Sequence, residues 1–536
     1  MTAAVRPRFQ KIRATGTIEL GARLELIQAP RVEPTDRFAS SGAGSPQNHD
    51  TRNTRESEAI GDALEFRFAE KSTGTLRISD AGLTTSFGIF GAPGSGKTVL
   101  LLHLLEQVLG HQRADPERRY GALILDPKAS LIDDVREMAA RAGRADDVIV
   151  INTDLLLRAP ERALDLNVID TRLDPYELGA ILVLAGRSAG IDASDPFWFQ
   201  EWTNLFASAL SVLRADAYLR SGIAAPRATT LRELIDSLFD SEGNVRRILA
   251  LARSVQLRAK GLPSAVDPRR SGVPCAPDIR LDVQMLERFY AADYVGTIEA
   301  FITKAYGMFR RSRLHCYSAA APKGGRLYDD ILERGKIVLV SISPGEPALA
   351  KTLCTLVKCL FQRTVLSRAQ GFTNTVRPVV LACDEYSEIA SEVVGQSLGD
   401  GQFLALAREY GCMALLATQS VNVLEASSLK ETWRSVFSNF AAKIYMRLVD
   451  NETAEEATKL AGESDWRVYE RSKSSGGSGA SSSTQRSLKD RKNLPSSILT
   501  QVLRRGEAVV IGSLDGGVTT PGTHFLRVPA PGGQRA

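Results

Sequence analysis

The chain has 536 residues, 43% of them apolar and 24% charged, and its 67 Lys and Arg against 62 Asp and Glu give a net charge of +5. This composition excludes a collagen-like, disulfide-framework or wholly disordered protein, and the length provides for more than one domain. No run approaches the roughly eighteen consecutive apolar residues of a membrane helix, and the basic start (Arg6, Arg8, Lys11, Arg13) leads into no signal-peptide core. A cytoplasmic protein is therefore expected. The mild positive charge permits contact with nucleic acid without requiring it.

Residues 1–58 are read as a strand or hairpin followed by a linker. Thr15 to Ile27 alternates apolar and polar residues through Ile18, Leu20, Leu24 and Leu26, and Ala39 to Asp50 is rich in turn formers. From residue 59 to 190, strands alternate with helices. Leu64–Phe68, Leu76–Ile78, Phe87–Phe90, Gly121–Asp126 and Val148–Ile151 are short apolar runs separated by helical stretches, the pattern of a mostly parallel sheet covered on both faces.

Phe87–Phe90 leads directly into Gly91, Ala92, Pro93, Gly94, Ser95, Gly96, Lys97 and Thr98, and Val99 to Leu105 then continues as a helix. Strand, glycine loop, helix is the arrangement a phosphate-binding loop needs. Its glycines let the backbone turn N–H groups inward, Lys97 aims positive charge at the outer phosphates, and Thr98 offers a hydroxyl to the magnesium ion that accompanies ATP. The next strand ends in Asp126-Pro127-Lys128. Two readings stand side by side for it: part of the nucleotide site or a subunit contact, and a simple strand-ending turn.

Residues 191–328 are expected to form a mostly helical inserted domain, with helical spacing already established at Tyr176–Ala189. The aromatic-dense run Asp195 to Trp202 is read as packing of this insertion onto the core rather than as a base-stacking platform. Sheet grammar returns over 329–528, with strands at Lys336–Ile342, Pro378–Cys383, Cys412–Ala417, Ala442–Leu448 and Glu507–Gly512. Ser472 to Ser487 is low-complexity Ser/Gly sequence, expected to be a mobile loop, and 529–536 a disordered tail. The six cysteines show no metal-binding spacing and read as reduced, buried thiols.

Three further positions carry chemistry. Asp384 and Glu385 end a buried strand, which puts two carboxylates at the sheet edge where open α/β sheets bind ligands. Asp384 would hold the magnesium shell, and Glu385 would orient and deprotonate the attacking water. Gln419 ends the next strand and is placed to sense the γ-phosphate. Arg408 precedes that strand and is the candidate for an arginine reaching a neighbouring subunit's phosphate, with Arg434 and Arg447 competing for the role.

In this order the motifs resemble those of the type IV coupling proteins (TraG/TraD-like ATPases) of conjugation and type IV secretion, within the wider FtsK/HerA group of DNA-pumping motors. The resemblance rests on Gly91–Thr98, Leu123–Lys128, Asp165–Ile169, Asp195–Trp198, Leu381–Tyr386, Leu406–Gly411, Thr418–Ser420, Asn493–Ile498 and Arg505–Ile511. It implies a RecA-like P-loop domain with an inserted all-α domain, a homo-hexameric ring with ATP and magnesium between subunits, DNA in a central channel, and secretion-machine or relaxosome-type protein partners. The family assigns Lys97, Thr98, Asp384, Glu385 and Gln419 the roles given above, and an arginine in trans fits Arg408. Two departures stand out. Such proteins begin with transmembrane helices that this chain lacks, so a partner would have to recruit it to the membrane. The family's Asp-Pro-Lys-Gly-Glu is here Asp126-Pro-Lys-Ala-Ser130. Two other functions remain open at this stage: an ATP-gated adaptor that recruits proteins without threading DNA, and a HerA-like motor working with a nuclease in DNA processing or phage defence.

Overall fold

The computed structural model describes residues 17–24, 26–30, 64–68, 74–152, 167–171, 173–189, 195–221, 229–239, 241–242, 245–260, 279–291, 295–311, 326–370, 377–392, 399–476, 479–517 and 522–529. The expected linker at 39–50, residues 261–277 of the expected helical insertion and residues 530–536 of the expected tail lie outside the described residues.

The strands in chain order are β1 (Ile18–Leu24), β2 (Leu26–Pro30), β3 (Leu64–Phe68), β4 (Gly74–Ile78), β5 (Ser86–Phe90), β6 (Gly121–Asp126), β7 (Val148–Ile151), β8 (Ser241–Glu242), β9 (Val245–Arg246), β10 (Ile337–Ser341), β11 (Val379–Cys383), β12 (Cys412–Thr418), β13 (Ala442–Met446), β14 (Glu463–Gly476), β15 (Gly479–Lys492), β16 (Glu507–Gly512) and β17 (Gly522–Arg527). Eleven of them form one sheet in the order β4-β1-β17-β16-β13-β5-β12-β11-β6-β10-β7. From β13 to β7 every pairing is parallel. On the other side of β13, strands β16, β17, β1 and β4 add an antiparallel wing. The fold is α/β, a large mostly parallel sheet flanked by helices.

The parallel strands are buried on both faces because their side chains alternate between two cores. Leu123, Leu125, Val338, Val340, Leu381, Ala414 and Leu416 face one apolar cluster, shared with the helices Pro175–Arg187 and Pro347–Leu366. Ala122, Ile124, Leu339, Val380, Met413 and Leu415 face the other, shared with α1 (Lys97–Gly110) and α2 (Ile132–Arg141). A one-residue slip in any of these strands would exchange the two sets.

Between β7 and β10 the described elements are helices apart from the two-residue pair β8–β9. The helix Pro175–Arg187 starts cleanly because Asp174 accepts hydrogen bonds from Tyr176 and Glu177 N–H groups and Pro175 needs no donor partner. The aromatic run sits on the helix Pro196–Ser221. Trp202 is buried and stacks on Phe301 with ring centroids 4.0 Å apart, and Phe199 is buried beside it, whereas Phe197 is half exposed. Packing, not base stacking, accounts for this segment. The cysteines Cys354, Cys359, Cys383 and Cys412 are free and buried, as read.

One reading needs correction. Of the segment Ser472 to Ser487, expected as a mobile loop, the described residues 472–476 and 479–487 lie in the long antiparallel pair β14–β15, whose register runs from Glu463↔Lys492 to Gly476↔Gly479. Cross-strand backbone pairing needs no apolar side chains, so a Ser/Gly composition does not prevent it. Strand β17 carries no strong alternation in sequence, yet it pairs with both β16 and β1 and links the N-terminal strand to the main sheet.

Candidate nucleotide-binding site

The glycine loop leaves the C-terminal end of β5 between the ends of β12 and β13. Its backbone is fastened to both: Gly91 N–H donates to the Gln419 carbonyl (3.2 Å) and Ala92 N–H to the Arg447 carbonyl (2.9 Å). Gly91 must lack a side chain, since a β-carbon there would come within 2.6 Å of Ser95 Oγ and 2.9 Å of Met446. Gly96 caps α1 with φ 110°, a left-handed conformation that other residues rarely adopt. The first turn of α1 contains no acidic residue, which leaves its N-terminal N–H groups to an anion.

Within this loop Lys97 is buried, and its ammonium donates to the carbonyls of Gly91 (2.7 Å) and Ala92 (3.2 Å). Burial pushes its pKa down, opposed by the carboxylates of Glu385 and Asp384, while Lys128 lowers it further. Ser95 is fully buried and its hydroxyl has no hydrogen-bond partner. Thr98 Oγ1 donates to Asp384 Oδ2 at 2.7 Å. Val99 follows, half-buried, on the first turn of α1.

Asp384 and Glu385 leave the end of β11, two strands from β5. Burial raises the Asp384 pKa, and the Thr98 hydroxyl opposes that rise. Glu385 adopts a left-handed backbone (φ 57°), a strained conformation for a non-glycine residue. Its own N–H donates to Asp384 Oδ1 at 3.1 Å, which turns the two carboxylates in different directions. Gln419 Nε2 lies 3.2 and 3.4 Å from the two Glu385 carboxylate oxygens. Ser420 then caps the short helix Val421–Glu425 by accepting from Val423 N–H, and Val421 N–H donates to Thr453 Oγ1.

Asp126 is a structural residue of the same edge. It accepts from Leu131 N–H (2.8 Å) and from Ser341 Oγ (2.9 Å), which fixes the turn after β6 to the end of β10. Its neighbour Lys128 reaches the site: the Lys128 ammonium lies 2.7 Å from Glu385 Oε1. No spacing in the sequence reveals this pair. Only the adjacency of β6 and β11 places it.

The structure thus brings together Lys97, Thr98, Asp384, Glu385 and Gln419. It does not bring Arg408 among them. Arg408 precedes β12 at the sheet's other edge, beside Gly516, and the seven residues of β12 separate it from Gln419 by about 20 Å within one chain. Arg447 is exposed at the C-terminal end of β13, and Arg434 stacks over Trp433.

These residues fit a magnesium nucleotide. The loop offers a close backbone approach, left-handed glycine geometry, an unpartnered buried hydroxyl and a buried ammonium. Among the described residues no group of three His, Cys, Asp or Glu side chains forms a metal cage. Thr98 and Asp384 would hold magnesium, which would offset phosphate charge there.

Residues 378–502, from β11 to the segment before β16, match the sequence family described as the TraM recognition site of TraD and TraG. No curated protein matches the chain. Among solved structures, the unbound bacterial conjugative coupling protein TrwB, lacking its first 70 residues, is similar with a TM-score of 0.55 at 15% identity over 86% of this chain and 89% of that one. TrwB in complex with the non-hydrolysable ATP analogue ADPNP is similar with a TM-score of 0.52 at 15% identity, over 85% of this chain and 88% of that one. TrwB in complex with ADP and Mg2+ gives 0.52 at 16% identity, over 85% and 88%. Over 378–502 the chain therefore matches the TraD and TraG family segment in sequence, and over most of its length it shares the fold of a conjugative coupling protein.

Proposed function

We propose that the chain is an ATPase of the coupling-protein kind that couples hydrolysis to movement of DNA, or of DNA carrying a protein, toward a secretion or conjugation machine. The observation that carries this reading is the convergence of Lys97 and Thr98 with Asp384, Glu385 and Gln419 at one sheet edge, joined by the Thr98–Asp384 hydrogen bond. Similarity to a coupling protein solved with an ATP analogue and with ADP and Mg2+ supports the choice of nucleotide and metal.

The chemistry is transfer of the γ-phosphoryl group to water. Magnesium, when bound, offsets phosphate charge. Lys97 and the loop N–H groups hold the phosphates. Glu385 aligns a water and takes its proton as the oxygen–phosphorus bond forms and the β–γ bridge breaks to release ADP. Gln419 holds the Glu385 carboxylate and carries its position into the helix Val421–Glu425.

The assembly proposed is a homo-hexamer with Arg408 acting in trans, since its place on the opposite edge excludes action in cis. Among the described residues no helix is long and apolar enough to cross a membrane. A protein partner is the route to the membrane proposed here. The test is ATP hydrolysis measured with and without DNA, at low and high salt. DNA should raise the rate, and the stimulation should fade steeply with salt. A DNA-indifferent ATPase would instead favour the adaptor function.

A further inference from the structure

Lys128 has no place in the roles assigned above, yet its ammonium lies 2.7 Å from the carboxylate of Glu385. The two partners differ in freedom. The Glu385 side chain is 12% exposed and held by Gln419, whereas the Lys128 side chain is 52% exposed and extends from the turn after β6. The Lys128 charge also acts on Lys97, lowering its pKa, which places that charge within electrostatic reach of the phosphate loop. A lysine is a flexible point charge, and a triphosphate terminus carries more negative charge than one carboxylate.

We propose that Lys128 is a positioning residue that exchanges between two anions: it pairs with the Glu385 carboxylate, and the γ-phosphate of ATP draws it away. In the first arrangement Lys128 restrains and neutralises the carboxylate that must accept a proton from water. In the second it contacts the group that distinguishes ATP from ADP and leaves Glu385 to Gln419 and the water. The turn Asp126-Pro127-Lys128 supplies the fixed end of this arm, since Asp126 is tied to Leu131 and Ser341. The inference rests on reading the site as one that hydrolyses ATP.

The test uses the full chain and compares binding of a non-hydrolysable ATP analogue with binding of ADP by calorimetry, beside steady-state ATPase kinetics. Lys128→Gln should weaken the analogue about tenfold, leave ADP within about twofold, and raise KM for ATP more than it lowers kcat. Lys128→Arg should restore most of the preference. Glu385→Gln frees the ammonium, so it should tighten the analogue several-fold, and this gain should vanish in Lys128→Gln/Glu385→Gln. An unchanged analogue-to-ADP ratio in Lys128→Gln, or a gain in Glu385→Gln that survives loss of Lys128, would overturn the exchange. Wild-type protein that binds the analogue without hydrolysing ATP would overturn the ATPase reading while the binding arms still judge Lys128. No binding at all would overturn both.

Discussion

Thr98 donates its hydroxyl to Asp384 Oδ2 at 2.7 Å, across 286 positions of sequence. The contact joins the glycine loop to the acidic strand end and marks where a magnesium ion would sit. Thr98→Ala should weaken nucleotide binding about tenfold when magnesium is present and much less in its absence. Titration of nucleotide with and without the metal checks this, and equal losses under both conditions would take Thr98 out of the metal shell.

Lys97 donates to two loop carbonyls from a buried position. Lys97→Ala should lower ATPase activity by at least about a hundredfold, because the phosphates lose their fixed cation. Circular dichroism and the melting temperature should stay close to wild type, since the Lys97 ammonium is already disfavoured by burial. A variant that still hydrolyses ATP at the normal rate would remove the assigned role.

Glu385 and Gln419 should separate binding from chemistry. Glu385→Gln is expected to lower kcat by about two to four orders of magnitude with nucleotide binding retained. Gln419→Ala, which leaves one fewer group on the carboxylate, should cost less, on the order of tenfold in kcat. Single-turnover measurements distinguish this from slow product release.

Lys443 gives a pH signature. It is buried on β13 with its ammonium 2.9 Å from the Phe440 carbonyl and over the Phe437 ring, and burial lowers its pKa from 10.5 to about 8. Between those values the unfolded chain binds more protons than the folded one, so this residue makes stability rise as pH increases from about 8 toward 10.5. Below about 8 both states are protonated and the full penalty applies. Lys443→Met should therefore gain stability relative to wild type at pH 7, by about 1–3 kcal/mol, and lose that advantage by pH 10. Urea unfolding of both proteins at the two pH values is the check, and a pH-independent difference would contradict it.

The Lys358–Asp400 pair is sealed from solvent, with ammonium and carboxylate 2.6 Å apart. Asp400 also accepts from Tyr386 OH (2.6 Å), Gln362 Nε2 (2.7 Å) and Ser391 N–H (2.9 Å), and Lys358 donates to the Ile389 carbonyl. Asp400→Ala should cost about 3–5 kcal/mol because it strands a buried ammonium, and Lys358→Met/Asp400→Ala should recover part of that. Chemical denaturation of single and double variants measures the coupling. Additive losses would mean that the charges do not depend on one another. Because Tyr386 directly follows Glu385, the single variants should also depress kcat.

The glycine loop and the Asp384-Glu385 strand end were legible because each places its chemistry next to a run with a clear period: an apolar strand before it and, for the loop, a helix after it. Gln419 was legible for the same reason. The turn carrying Lys128 was one of two open readings, but its pairing with Glu385 was not legible, because a charged residue in a turn looks the same in sequence whether it meets solvent or a carboxylate more than 250 positions away. Lys358 was hidden in another way. It interrupts an apolar helix, where a lysine ordinarily signals a solvated face, and only its partners Ile389, Ser391 and Asp400, on two other segments, make its burial tolerable. Arg408 stands before β12, and the end of the strand that it occupies, opposite Gln419, matters more than its proximity in sequence. The β14–β15 hairpin escaped notice because backbone pairing leaves no trace in a Ser/Gly composition.

The bonds from Gly91 to the Gln419 carbonyl and from Ala92 to the Arg447 carbonyl are made by main chain alone. Replacing the glutamine or the arginine side chain changes what the site can do but leaves both attachments in place. A displacement of the loop is therefore delivered to β12 and β13 together, whatever residues stand at their ends. The site has separable parts: a lever built from peptide groups, which substitution scarcely reaches, and a set of interchangeable tips that decide which chemistry drives it.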